Sequence, residues 1–397
     1  MYNTLIINTS EIWIKKKNRR NFYDLLKKHI RHRVKRYHQD SFEVVMESHK
    51  IVIISQSIFN QDVIDILAYT PGIHSIELVR KVEQNYEAIL PVLSEEIKSW
   101  GDDFYTFKVQ TKRSDKRFPI NSMELSANLG EHILKNFSNF KVRIKKPDVI
   151  VSVKVMPSGI FVSTKRTPGL KGLPVGSSGR LVSMLSGGFD SPVSSSLMAT
   201  RGCDLSYAFF YAYPFVGSEV KDKIIELLKV LSRTQRFSPL YIIPFGKIQQ
   251  KIAENCKPSF RTLLIRKAMI ECSTILANRI NALGLVTGDA LGQVSSQTLE
   301  NIRFLDKSAP IPILRPLIGM TKEEIISLAH KFKTHDISII PHDDACALFA
   351  PDHPVLKASD EYWDYYNQKI DIADDLSQAL NEAEVYTINK YGELIKR

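Results

Sequence analysis

Met184-Leu185-Ser186-Gly187-Gly188-Phe189-Asp190-Ser191-Pro192-Val193 is the stretch that decides the fold. The apolar run Leu181 to Leu185 reads as a buried strand; it passes straight into Ser-Gly-Gly-x-Asp-Ser, and Pro192 opens a helix. Two consecutive glycines let the backbone turn sharply and bring N–H groups close to an anion. The helix that follows aims its positive end at the same point. Proline suits a first helical turn, where a missing N–H costs little. The strand, turn and helix together read as a cradle for phosphate or pyrophosphate.

Outward from this cradle, strands alternate with helices: Leu181–Leu185, helix Val193–Ala199, Tyr207–Tyr211, helix Glu219–Ser232, Leu240–Pro244, helix Phe260–Arg279, Leu285–Val286 and helix Gln297–Leu305. That order predicts an α/β, doubly wound parallel sheet, with ligands at the carboxyl ends of the strands. Upstream, Pro168 to Gly179 is a Gly/Pro/Ser-rich connector and marks the main boundary. From Met1 to about Val82 the patterns read βαββαβ: Thr4–Ile7, helix Asn21–Val34, the pair Phe42–Met46 and Ile51–Ile54, helix Asp62–Tyr69, and Ser75–Val79. This fits a ferredoxin-like fold. A second small α+β unit follows, with strand Tyr105–Gln110, a helix from Ser122 (as its cap) to Phe137, and strands Lys141–Ile144 and Asp148–Val155.

The charge is unevenly placed. Met1 to Val175 holds 29 Lys and Arg against 18 Asp and Glu, whereas Gly176 to Arg397 holds 25 of each, so the whole net charge of +11 lies in the N-terminal half. A polyanion-binding module joined to a neutral catalytic module explains this asymmetry. Lys112, Arg113, Lys116 and Arg117, then Lys141 and Arg143, are its candidate nucleic-acid contacts. The four cysteines, Cys203, Cys256, Cys272 and Cys346, include no Cys-x-x-Cys pair, so no metal site of the chain's own is expected. No run approaches the length of a membrane span and the N-terminus lacks a secretion signal, so a cytoplasmic protein is expected.

The glycine turn is not a Walker loop, because no Lys follows the glycines. Ser186 to Ser191 instead resembles the PP-loop of ATP pyrophosphatases. The wider chain resembles the tRNA 4-thiouridine synthetases. The similarity is carried by Lys112-Arg113 to Phe118-Pro119, Gly169 to Gly176, the PP-loop, Thr287-Gly288-Asp289-Ala290-Leu291-Gly292-Gln293-Val294, Ser296-Gln297-Thr298-Leu299-Glu300-Asn301, and Arg315-Pro316-Leu317-Ile318-Gly319. The resemblance implies a ferredoxin-like domain (1–82), a THUMP RNA-binding domain (83–168), a linker (169–178) and a PP-loop, adenine nucleotide α-hydrolase-like domain (179–397). By matching positions it implies that Met184, Leu185, Ser186, Gly187, Gly188, Ser191, Phe209, Phe210, Arg266, Gly288 and Gln297 bind ATP. Read from the residues alone, Phe209 and Phe210 are equally core; Arg266 neutralises phosphate charge or is an ordinary helix-surface arginine, Gly288 allows close backbone approach at a strand end or is a turn, and Gln297 hydrogen-bonds a nucleotide or caps its helix.

The resemblance further implies ATP-dependent conversion of tRNA uridine-8 to 4-thiouridine, with Asp190 and Cys346 as the catalytic residues. Asp190 beside a pyrophosphate calls for Mg²⁺ or a reacting group to bridge it. Cys346 would carry sulfur as a persulfide; His342 favours its thiolate, Asp343 and Asp344 oppose it, and the sequence leaves the balance open. Cys256 and Cys272 read as structural and Cys203 as core, with a redox role at Cys203 left open. The chain is expected to lack the rhodanese domain of some members, so that a cysteine desulfurase loads Cys346 directly. tRNA is the expected partner, a homodimer is left open, and so are action on another nucleobase and a vestigial nucleotide site.

Overall fold

Leu5, Ile6 and Ile7 are fully buried because the first strand, β1 (Thr4–Thr9), is covered on both faces. Leu5 and Ile7 pack against helix α1 (Arg19–Tyr37) through Leu26, Ile30 and Val34, while Ile6 joins Val52, Val79, Met156 and Phe161 on the opposite face. The computed structural model describes residues 2–235, 237–341, 349–389 and 392–397. The chain divides into two compact units, Met1–Leu173 and Pro174–Arg397.

The first unit continues with β2 (Phe42–Glu47), β3 (Lys50–Ser55), α2 (Gln61–Ala68) and β4 (Ile73–Val82), completing the βαββαβ order. Then come α3 (Tyr86–Lys98), β5 (Tyr105–Arg113), α4 (Ser122–Asn136), β6 (Phe140–Val142), β7 (Val149–Met156) and β8 (Gly159–Pro168). The cap of α4 is Asn121, not Ser122: its side chain accepts from the N–H groups of Met123 and Glu124, so Ser122 is already inside the helix. All eight strands form one sheet, in the order β2-β3-β1-β4-β8-β7-β5-β6. The join is the antiparallel pairing of β4 with β8. A buried ion pair between Glu77 of β4 and Lys154 of β7 spans it, with Asn8 and Ser152 also hydrogen-bonded to the Glu77 carboxylate. Removing one partner would strand the other charge in the interior, at about 3–5 kcal/mol.

The second unit contains β9 (Arg180–Met184), α5 (Asp190–Thr200), β10 (Asp204–Tyr211), α6 (Glu219–Ser232), β11 (Leu240–Pro244), α7 (Gly246–Asn255), α8 (Arg261–Arg279), β12 (Leu285–Val286), α9 (Leu299–Asp306), β13 (Ile313–Leu314), α10 (Lys322–Phe332), α11 (His335–Ser338), α12 (Asp360–Lys369), α13 (Ala373–Asn381), β14 (Glu384–Ile388) and β15 (Leu394–Lys396). Its sheet runs β13-β12-β9-β10-β11-β14-β15. The first five strands are parallel, and the last two join antiparallel at the β11 edge. The residues after Pro354 supply two helices and two strands. Strand order reverses between β9 and β12, and a crevice opens beyond their carboxyl ends at that switch point.

Candidate active site

The glycine turn lies at this switch point. Neither Gly187 nor Gly188 has a positive φ, so the turn does not need glycine for a left-handed conformation. A Cβ built on Gly188 would approach nothing nearer than Ser186 Oγ at 3.9 Å. What glycine provides there is an open backbone face. The turn is braced from within: Ser191 Oγ accepts from the Ser186 N–H at 2.8 Å and lies 3.0 Å from Ser186 Oγ. Among the described residues no side chain caps the N-terminus of α5, leaving its first N–H groups for a ligand.

Gly288 behaves differently. It lies just past β12, and a Cβ there would meet Ser191 N at 2.8 Å and the Asp190 carbonyl carbon at 2.9 Å. It is neither a mere turn nor an open face; it lets one strand end back directly onto the phosphate loop.

A cavity of about 390 Å³ opens here, within the size range of small-molecule sites. Its lining includes Met184, Leu185, Ser186, Gly187, Asp190, Ser191, Phe209, Phe210, Arg266, Gly288 and Gln297, together with Thr287, Asp289, Ser296, Ala350, Pro351 and Pro354. The structure thus gathers ten of the eleven expected nucleotide residues around one space, with Gly188 adjoining it in the loop. Phe209 and Phe210 are buried and line the cavity as well.

Asp289, which the sequence reading did not single out, organises one wall. Its buried carboxylate pairs with Arg266 and with Arg315 Nε at 3.1 Å, and accepts from Thr287 Oγ1 at 2.7 Å. Burial pushes this carboxyl up, but the Arg266 guanidinium and the surrounding donors outweigh it and hold it down to about 2. Arg266 is therefore no surface arginine; its charge is shared with Asp289, while Arg315 bridges Asp289 to Asp306, which it meets at 2.6 Å. Gln297 is no helix cap either, because Thr298 caps α9. Its Nε2 donates to Asp289 at 3.4 Å, which fixes the amide, and its buried Oε1 has no hydrogen-bond partner among the described residues.

Asp190, at the first position of α5, is held by Lys322 Nζ at 2.8 Å and Gln293 Nε2 at 3.0 Å. Sequence reading looked to a metal or a reacting group to bridge this carboxylate; the fold places an ammonium against it. Lys322 opens α10, where a cation is disfavoured by the helix dipole, and that misplacement is a signal in the sequence that it serves another group.

Cys346, with His342, Asp343 and Asp344, lies outside the described residues. It is four positions from Ala350 of the cavity wall, a reach of about 14 Å at full extension. The other thiols are poor alternatives: burial pushes Cys256 up to about 11 and Cys272 up to about 12, and raises Cys203, which is 4% exposed.

In the first unit, Lys112, Lys116, Arg117, Lys141 and Arg143 are exposed. Arg117 pairs with Asp115. Arg113 instead turns inward and donates to the Phe118 and Ile120 carbonyls, which makes it a brace for its loop. Lys112 borders a second cavity of about 720 Å³ with Lys154, Lys165 and Arg166. Burial and the positive charges of Lys112, Lys154 and Arg166 push the Lys50 ammonium down. The densest charge lies elsewhere: Glu11 to Tyr37 carries eleven Lys and Arg against two acids.

Three family descriptions match the chain: a ThiI ferredoxin-like domain over residues 4–76, a THUMP domain over 79–165 and "Thiamine biosynthesis protein (ThiI)" over 176–372. A protein of Geobacillus kaustophilus (strain HTA426) named "Probable tRNA sulfurtransferase" is 35% identical over 98% of this chain and 96% of its own length. One of the same name from Thermoanaerobacter pseudethanolicus is 38% identical over 90% of this chain and 92% of its own. Among solved structures, a 4-thiouridine synthetase in complex with RNA and bound ATP superposes with a TM-score of 0.86 at 28% identity, covering 100% of both chains. PH1313 from Pyrococcus horikoshii Ot3 shares the fold, with a TM-score of 0.65 at 22% identity over 83% of this chain and 99% of its own.

Proposed function

The chain belongs to the tRNA sulfurtransferase family, and from that premise we propose that it converts uridine-8 of tRNA to 4-thiouridine at the expense of ATP. One observation carries the reading: an open glycine loop, a helix N-terminus uncapped among the described residues and a buried Gln297 Oε1 with no partner among them meet at one cavity whose wall includes Ala350, four positions from Cys346.

ATP would lie with its base toward Phe209, Phe210, Met184 and Leu185, and its phosphates along Ser186 to Ser191. Gln297 Oε1 would accept from an amino or hydroxyl group of the nucleotide. Arg266 lines that wall with its guanidinium already oriented by Asp289 and Ser296 before the nucleotide arrives. O4 of the uridine attacks the α-phosphorus and pyrophosphate leaves. The terminal sulfur of a Cys346 persulfide then attacks C4, AMP departs with the former O4, and a reducing thiol cleaves the remaining S–S bond. Adenylation turns a poor leaving group into a good one, and the protein supplies position and charge.

Asp190 fits Mg²⁺ better than Asp289 does, since two guanidiniums already occupy Asp289 whereas Asp190 meets the single ammonium of Lys322. Bound there, the metal would neutralise phosphate charge. tRNA would dock on the basic first unit, through Lys112, Lys116, Arg117, Lys141 and Arg143 and through the Glu11–Tyr37 segment. A cysteine desulfurase would load Cys346, and the oligomeric state is not part of this reading.

The test uses purified chain with ATP, unmodified tRNA, cysteine and a desulfurase. Pyrophosphate and AMP should appear only with tRNA, and 4-thiouridine should be found by mass spectrometry of the nucleosides. Cys346→Ser should still release pyrophosphate but make no thiolated product. Thiolation without ATP consumption would defeat the reading.

A further inference from the structure

Lys223 lies on the buried face of α6 among Val220, Ile224 and Leu227, where an apolar side chain would be expected. It is 6% exposed, and burial pushes its ammonium down. Its Nζ donates to the Ser338 carbonyl at 3.0 Å and to the Ile340 carbonyl at 2.6 Å. The Ser338 carbonyl ends α11, a four-residue helix too short to hold itself, and the Ile340 carbonyl lies two residues past that end. A cation at that end is favourable. Ser338 is tied a second time, its Oγ donating to the Gly188 carbonyl at 3.2 Å.

One point of the chain is thus pinned to the α6 core and to the phosphate loop at once. From Ser338 the sequence runs eight positions to Cys346. Three residues beyond Cys346, Phe349 packs edge-on against Phe215 at 5.5 Å. Neither Lys223 nor Ser338 lines the nucleotide cavity. Among the described residues, this interior lysine is directed at two carbonyls that lie at the head of the segment that follows.

We propose that Lys223 and Ser338 are positioning residues for sulfur transfer: they fix the origin of the Cys346-bearing segment beside the phosphate loop without taking part in adenylation. The proposal rests on the reading that Cys346 carries sulfur. It predicts uncoupling. Loss of the Lys223 anchor frees one end of that segment while leaving the nucleotide residues in place, and misplacing a reacting group by about 1 Å can lower a rate about 100-fold.

The experiment compares single-turnover rates of tRNA-dependent pyrophosphate release and of 4-thiouridine formation in the full chain, with desulfurase and cysteine present. Lys223→Met should release pyrophosphate within about twofold of the parent rate and thiolate at least about tenfold more slowly. Lys223→Arg, which keeps the cation, should restore most of the thiolation, and Ser338→Ala should shift the ratio the same way by less. Equal loss of both steps in Lys223→Met, or loss of neither, overturns the proposal. Should Lys223→Met not fold, Ser338→Ala decides alone, and a parental ratio of the two rates overturns it. A Cys346→Ser arm separates the premises: thiolation there would defeat the sulfur-carrier reading, whereas a dead Cys346→Ser beside a fully coupled Lys223→Met would defeat only this inference.

Discussion

Gly288→Ala tests whether the end of β12 is the template against which the phosphate loop is shaped. The added Cβ would lie 2.8 Å from Ser191 N and 2.9 Å from the Asp190 carbonyl carbon, where ordinary contact begins at 3.4 Å. About 0.6 Å must be found, and the obstructing atoms are backbone, so no flexible side chain can yield it. Overpacking of this kind costs about 1–3 kcal/mol. The displacement also exceeds the ~0.5 Å within which reactive groups must be held. The variant should therefore lose about 1–3 kcal/mol in urea denaturation and at least about tenfold in tRNA-dependent pyrophosphate release. Gly188→Ala is the control. Its Cβ meets only Ser186 Oγ at 3.9 Å and its φ is not positive, so stability should change by less than about 0.5 kcal/mol, while ATP affinity falls because the methyl occupies the open face. Unchanged stability and unchanged turnover in Gly288→Ala would refute the template argument.

Asp289→Asn removes the buried anion shared by Arg266 and Arg315, and should cost about 3–5 kcal/mol; a parental denaturation midpoint would show that the arginines do not depend on it. The native carboxyl is depressed to about 2, below its ordinary value near 4. Its contribution of about 2 kcal/mol is therefore present above about pH 4 and lost as pH falls toward 2, so stability measured across that window should fall more steeply for the parent than for Asp289→Asn. RNA affinity should drop steeply with salt, with the log–log slope shrinking by about one for each phosphate-contacting lysine removed. Lys112→Ala, Lys116→Ala and Lys141→Ala should each act this way. Arg113→Ala should lower stability and leave the slope unchanged, since its guanidinium is spent on the Phe118 and Ile120 carbonyls. A slope that responds to Arg113 and not to the lysines would reverse these assignments.

The parts of the fold legible in the sequence were those where local pattern and tertiary burial agree. Glu219–Ser232 has both a clean helical period and a buried face, and its predicted and observed limits coincide. α3 escaped notice because Pro91 interrupts an otherwise helical pattern, and the structure tolerates it inside the helix. β14 and β15 were missed because a sequence that reads as successive β–α units gives no hint that its last strands return antiparallel to an edge. The sheet spanning β4 and β8 was invisible for a similar reason, since strand pairing across about ninety residues leaves no periodic mark.

The site divides along the same line. Local segments with a stated chemistry, Ser186 to Ser191 and Gly288 to Gln297, were found, and the fold brings them to one cavity. What sequence could not supply were the long-range partners that set the state of each charge. Asp190 meets a lysine 132 positions away and Asp289 an arginine 26 away. These pairings alter the chemistry, because an isolated carboxylate would repel a triphosphate, whereas one paired to an ammonium presents a neutral dipole. The pocket thus settles most of its electrostatic cost during folding, with Arg266 and Lys322 already paired to carboxylates before a nucleotide arrives. Binding then reorganises little, which is the condition under which fixed dipoles stabilise a transition state more than water can.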